Sequence, residues 1–241
     1  MRGLLLGCAL ALIATPALAG PPYNADDPEP TDTGHWEIYN FIALDGRQGE
    51  VDGAAGVDLN YGAVKDVQLT ATLPVGFERL AGNPHLRIGR GDVELAVKAR
   101  LVHREKAGFQ LAIFPRVILP TAAREFGTGR VRLLLPVWAQ QDFGKWSLFG
   151  GGGYLINPGP GNRNQWHAGI ALIREVSRTV SFGIEATHDA PDADDARPAT
   201  TLGAGGIVKL GGPYALLVSA GPTFEPGHTG YHAYTALGVA F

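Results

Sequence analysis

Six charged residues and a histidine are spaced so that one surface could carry them: Glu94, Lys98 and Arg100 share one parity along a single stretch, Arg116 and Arg132 follow, and His167 and Glu185 lie farther along. Acyl transfer needs a nucleophile beside a base, and this set holds no serine, threonine or cysteine. What it offers is electrostatic. A basic strip of Lys98, Arg100, Arg116 and Arg132, opposed by acids such as Glu37, Asp58 and Glu185, would create a field able to sort solutes wherever the surface encloses water. The same residues could instead satisfy one another, with Glu94 pairing with Arg116 across a sheet ladder in a filled interior.

Other candidate chemistries are weaker. Gly150 to Gly153 lack the following Lys-Ser/Thr of a phosphate loop and open no helix. Their bland role is to let an aromatic side chain, or the N-terminal segment, lie close against a wall. His188, Asp189, Asp192, Asp194 and Asp195 form an oxygen-rich stretch that could attract Ca²⁺, but it lacks the order of ligands of an EF-hand loop. It reads as a solvated acidic loop. We expect no metal, no cofactor and no enzyme: His188 has no serine within a few residues, and Ser181 and Ser219 fall on the opposite parity.

Composition narrows the class of chain that must position these residues. A hydrophobic share of 45% with net charge -3 over 241 residues excludes disorder. A sequence pI near 6.1 offers no basic footprint for nucleic acid. The single cysteine, Cys8, excludes a disulfide framework. It lies in residues 1–19, which read as a secretory signal: a positive start, an apolar run from Leu4 to about Ala14 and a small-x-small site at Ala17-Leu18-Ala19. A lipoprotein box at Leu5-Leu6-Gly7-Cys8 would cut the apolar core too short. Residues 20–34, with Asp26, Asp27, Glu29 and Asp32 between prolines, cannot form a strand. They make a periplasmic tail, the preferred reading, or a plug.

From Trp36 onward the period is two. Val67, Leu69, Ala71, Leu73, Val75 and Phe77 share one face, and Gln68, Thr70, Thr72, Pro74 and Gly76 the other. Repeating the exercise to residue 241 gives about twelve strands of roughly 10 to 12 residues, the length that crosses a bilayer at a tilt. Tight connections at 62–65, 103–108, 142–144, 174–178 and 210–212 alternate with longer ones, among them 78–90, 120–129 and 189–198. No segment after the signal reaches the roughly 18 apolar residues of a spanning helix. Gly supplies 34 of 241 residues, about twice the usual 7% share, as crowded sheet faces require. Aromatic residues gather near strand ends: Trp36, Tyr61, Phe77, Phe109, Phe143, Trp146, Trp166, Tyr214 and Tyr231, the pattern of interfacial girdles. The fold class expected over 35–241 is all-β, a transmembrane antiparallel up-and-down barrel of about 12 strands in a bacterial outer membrane. If so, the charged parity faces the lumen. The barrel should be monomeric, because closure leaves no edge to pair, and should pass small solutes by diffusion unless the lumen is filled. External arginines (Arg47, Arg79, Arg87, Arg90, Arg124, Arg130, Arg163, Arg197) could meet lipopolysaccharide.

Two stretches carry a resemblance. Gly20-Pro-Pro-Tyr-Asn-Ala-Asp-Asp-Pro-Glu-Pro30 with Gly34-His-Trp-Glu-Ile-Tyr39 is one. The other is Leu135-Pro-Val-Trp138, Asp142-Phe-Gly-Lys-Trp146, Gly150-Gly-Gly-Gly-Tyr154 and Asn157-Pro-Gly-Pro-Gly-Asn-Arg163. They resemble a family of bacterial outer-membrane proteins labelled transporter-like, some of them linked by name to the meta-cleavage pathway of phenol degradation. Gly91-Asp-Val-Glu-Leu95 and Phe114-Pro-Arg-Val-Ile-Leu-Pro120 also fit. The resemblance implies an outer-membrane barrel and, through the name alone, aromatic or other organic solutes. The terminal Phe241 after an alternating strand resembles the signal read by the barrel-assembly machinery.

Overall fold

In the computed structural model residues 22–241 are described; the expected signal at 1–19 lies outside them. The backbone forms one antiparallel sheet closed on itself. Its strands are β1 (Trp36–Arg47), β2 (Glu50–Val64), β3 (Val67–Arg79), β4 (Arg87–Arg90), β5 (Val93–Arg104), β6 (Phe109–Ile113), β7 (Arg116–Leu119), β8 (Arg132–Phe143), β9 (Trp146–Ile156), β10 (Gln165–Glu175), β11 (Val180–Asp189), β12 (Ala199–Gly211), β13 (Tyr214–Glu225) and β14 (His228–Ala240). Closure is made by β1 against β14, from Glu37 opposite Ala240 to Gly46 opposite Tyr231.

Two of the wall's staves are broken, which reduces fourteen segments to the expected twelve. β4 and β5 both pair with β3, and the break between them lies opposite Pro74. Gly91 N–H still donates to the Pro74 carbonyl, but proline has no N–H to return, so the ladder slips there. β6 and β7 both lie between β5 and β8. Pro115 separates them, and Pro136 faces the gap, its carbonyl accepting from Phe114 N–H.

Both chain ends of the barrel share one rim, where Trp36 and Phe241 exchange backbone hydrogen bonds. The tight connections lie at this rim, as the barrel pattern requires of the periplasmic side. At the other rim, residues 80–86, 120–131, 157–164 and 190–198 form the long loops. The first and last connections there differ from the expected alternation, being two-residue turns at Gln48-Gly49 and Pro226-Gly227. Gln48 and Gly49 both have positive φ, the turn geometry that matches the twist of a tight hairpin.

The apolar parity faces outward. Leu73, Phe182, Ile184 and Leu202 are 46–55% exposed in mid-strand, which would be costly in water but suits contact with lipid acyl chains. Every aromatic residue expected at strand ends lies on this outer parity, with Trp36 tilted against Tyr61 at one rim and Tyr154 against Trp166 at the other, each pair at 4.7 Å between ring centroids.

Candidate functional site

All seven residues singled out in the sequence point into the barrel, because each shares parity with buried polar neighbours such as Gln68, Thr70, Gln110 and Thr187. Of the two arrangements left open in the sequence, a basic strip facing distant acids and mutual pairing that includes Glu94 with Arg116, the distances are those of pairing. Each cation is neutralised beside it. Arg116 on β7 meets Glu94 on β5 at 3.1 Å, diagonal neighbours in the ladder. Arg100 places two guanidinium nitrogens on Asp66, at 2.6 and 2.8 Å, and a third on Gln110. Arg132 reaches Asp92 at 3.2 Å, and His167 pairs with Asp189 at 2.8 Å. At these separations charge pairs cancel locally instead of projecting a field across the lumen.

The larger departure concerns the N-terminal segment. Of the two placements expected for residues 20–34, the described part, from Pro22, takes the lumenal one and not the preferred tail. It passes Gly62 at the periplasmic rim, where Thr33 bridges Gly62 and a Cβ on that glycine would stand 2.0 Å from the Asp32 carbonyl oxygen. Thr31 donates from both its backbone N–H and its hydroxyl to Gln68 Oε1, at 2.8 and 3.1 Å. Gln68 in turn donates to Asn60 and Thr70. Farther in, Lys98, whose side chain is 3% exposed, bonds Asp26 at 3.0 Å and lies 3.6 Å from Asp27. Arg116 holds the other Asp26 oxygen at 3.0 Å.

Glu185 accepts the backbone N–H groups of Asn24 and Ala25 at 2.9 and 3.1 Å. It thus anchors this segment instead of contributing free charge. Tyr23 donates to the Gly205 carbonyl at 2.7 Å, and the Ser219 hydroxyl donates to the Pro22 carbonyl. Tyr23 and Ala25 also pack into an interior cluster with Ala96, Phe114, Trp138, Phe149 and Ala171.

The glycine run on β9 plays the expected part toward a flanking aromatic: a Cβ on Gly151 would stand 2.9 Å from the Trp138 ring. The close approach of the segment falls instead at Gly169 and Gly183, beside Ala25 and Tyr23. Among the acids of the loop 190–198, Asp194 pairs with Arg163 at 2.8 Å, tying two outer loops together. His188 faces outward with Nδ1 2.9 Å from Thr200 Oγ1, and Ser181 and Ser219 lie on the inner parity, so no serine is brought to it.

The segment divides the interior. One cavity of about 380 Å³ lies between it and the wall of β1–β3, β5 and β7, bounded by Tyr39, Phe41, Tyr234, Phe114 and the polar groups of Asp58 and Arg116. A second, of about 530 Å³, opens toward the outer rim among Asp45, Asp52, His167, Asp189 and His232. Asn24 lines both. From the long loop 120–131, Phe126 folds onto Gly76 and Gly89, where a Cβ would come within 2.6 Å of its ring.

Several residues of this lumenal network escaped the sequence reading. Asp66, Asp45 and His232 are identified only by register; the last two pair at 3.0 Å across β1 and β14. The inward aromatics Trp138, Phe149 and Tyr39 share parity with polar residues, so alternation placed them correctly but gave no sign that they cluster. For Asp26 a signal did exist: an acidic, Pro-bounded segment in a chain whose wall carries buried cations.

No protein-family model and no curated sequence matches the chain. Solved structures do. An outer-membrane channel from Pseudomonas putida F1 superposes with TM-score 0.69 at 15% identity, over 89% of this chain and 98% of that one. The translocator domain of the autotransporter NalP from Neisseria meningitidis gives 0.56 at 14% identity, over 87% and 90%. The NanC porin gives 0.55 at 8% identity, over 83% and 98%. At these identities the likeness is one of fold. Together with the outward apolar belt and the closed sheet, it makes this chain a bacterial outer-membrane β-barrel.

Proposed function

We propose that the protein is an outer-membrane channel for diffusion of small solutes, with residues 22–32 acting as a plug that narrows the route. The observation that carries this reading is the divided lumen: two cavities of about 380 and 530 Å³ are separated by a segment that belongs to no strand and holds the wall through side-chain contacts. A filled structural barrel would leave no such space, whereas twelve staves enclose more than the side chains of an eight-stranded barrel can fill. The constriction then consists of Glu94, Lys98, Arg100, Arg116, Arg132, His167 and Glu185 acting together with Asp26 and Asp27.

Aromatic or other organic solutes are favoured by the family resemblance in the sequence and by the ring-lined wall of the inner cavity. Closure of β1 on β14 favours a monomer, the exposed outer-rim arginines favour contact with lipopolysaccharide, and Phe241 at the end of the closing strand suits recognition by the assembly machinery. Single-channel conductance of the refolded chain, with and without residues 20–34, tests the reading. Steps that enlarge on deletion support it; silence of both forms overturns it in favour of a structural barrel.

A further inference from the structure

Asp26 is held in an unusual way for a residue outside the wall. Its two carboxylate oxygens are taken by two cations on different strands, Lys98 on β5 and Arg116 on β7, each at 3.0 Å. Both cations also sit over the ring of Phe114, the Lys98 ammonium 4.9 Å and the Arg116 guanidinium 4.2 Å from its centroid. Among the described residues of the wall, Glu94 ion-pairs Arg116, and Asp58 lines the same cavity. The close carboxylates on Lys98, those of Asp26 and Asp27, both come from the segment. A buried cation stripped of its counter-charge is strongly disfavoured, so whatever displaces the segment must bring an anion of its own. The inner cavity adjoins this cradle, and Tyr39, Phe41, Phe114 and Tyr234 line it, with Phe41 and Tyr234 stacked at 6.4 Å.

We propose that the Lys98–Arg116 cradle over Phe114 is a binding site for the carboxylate of a small aromatic acid, that Asp26 occupies it as an internal surrogate, and that such a solute releases residues 22–32 by taking its place. The head group replaces the Asp26 carboxylate, and the ring lies against the aromatic wall of the cavity. One carboxylate then stands where Asp26 and Asp27 stood, which leaves room in the charge balance for Glu94 and Asp58 nearby. The proposal rests on the channel reading for its consequence, though not for the binding itself.

Calorimetric titration of the refolded full chain with benzoate tests the site, with benzamide, acetate and benzylamine as comparators. Asp26→Asn removes the internal competitor, so it should bind benzoate at least about tenfold more tightly than the unaltered chain, and benzamide no more tightly. Adding Arg116→Gln, or Lys98→Gln should that variant fold better by its heat-modifiable mobility, should abolish the gain. Equal binding of benzoate and benzamide by Asp26→Asn overturns the site, as does a gain that survives Arg116→Gln or a preference for benzylamine. Acetate as strong as benzoate overturns the role of the aromatic wall. Conductance read alongside separates the two readings. Benzoate that binds while the chain lacking residues 20–34 stays silent defeats the channel and leaves the site; benzoate that binds without enlarging the steps of a conducting chain defeats the release.

Discussion

Ala25 and Gly169 are in such close contact that a Cβ added to Gly169 would lie 3.0 Å from the Ala25 Cβ and 3.1 Å from the Thr187 methyl. The wall of β10 therefore gives way at the point where the N-terminal segment lies against it. Gly169→Val should push the segment off by overpacking, at a cost of about 1–3 kcal/mol to the seated form. The cross-strand pairing of β10 with β9 and β11 does not depend on that side chain. We expect larger conductance steps and faster chymotryptic cleavage after Tyr23, with the heat-modifiable mobility of the barrel retained. Unchanged cleavage would show that the contact carries no weight.

Seating of the segment should weaken as pH rises. Burial, reinforced by the nearby negative charge of Asp27, lifts Glu29 to about 7, with Arg100 opposing and Asp142 and Asp32 adding to the rise. Burial raises Asp27 as well, against the pull of Lys98. A released segment returns Glu29 to the ordinary carboxylate range, so the seated form binds more protons between that range and about pH 7. Its stability is therefore full at low pH and falls as pH climbs to about 7. Conductance recorded from pH 5 to 8 should increase over this window, and Glu29→Gln should flatten the profile. A profile that falls with pH would reverse the assignment.

The outward parity should not tolerate charge. Leu73 lies in mid-β3 and faces lipid, and Leu73→Arg should cost about 2–4 kcal/mol of folding free energy. Leu86, exposed in the outer loop 80–86, should accept arginine nearly without cost. Urea titration of folding into phospholipid vesicles measures both. Equal costs would mean that β3 does not face the hydrocarbon.

Strand number, parity and rim assignment were legible in the sequence because they are local. Val67 to Phe77 declare their faces by alternation alone, and Gly62 to Lys65 declare a turn by composition. Even the two broken staves left a trace in Pro74, Pro115 and Pro136, whose missing N–H groups fall on the ladders they interrupt. Lumenal placement of Glu94, Lys98, Arg100, Arg116, Arg132, His167 and Glu185 followed from the same parity.

Partners were another matter, and only the tertiary structure decided them. Whether Arg116 meets Asp58, Glu94 or Asp26 depends on which strands are neighbours, on a register that one bulge shifts by a residue, and on what occupies the enclosed space. The path of residues 22–32 shows this most clearly. Their composition rules out a strand and by itself favours a tail in water. Lumenal seating is favourable because closure of β1 on β14 creates an interior in which the buried Lys98 takes its close carboxylates, those of Asp26 and Asp27, from the segment. That interior exists only once the two ends of the barrel, at Trp36 and Phe241, have met.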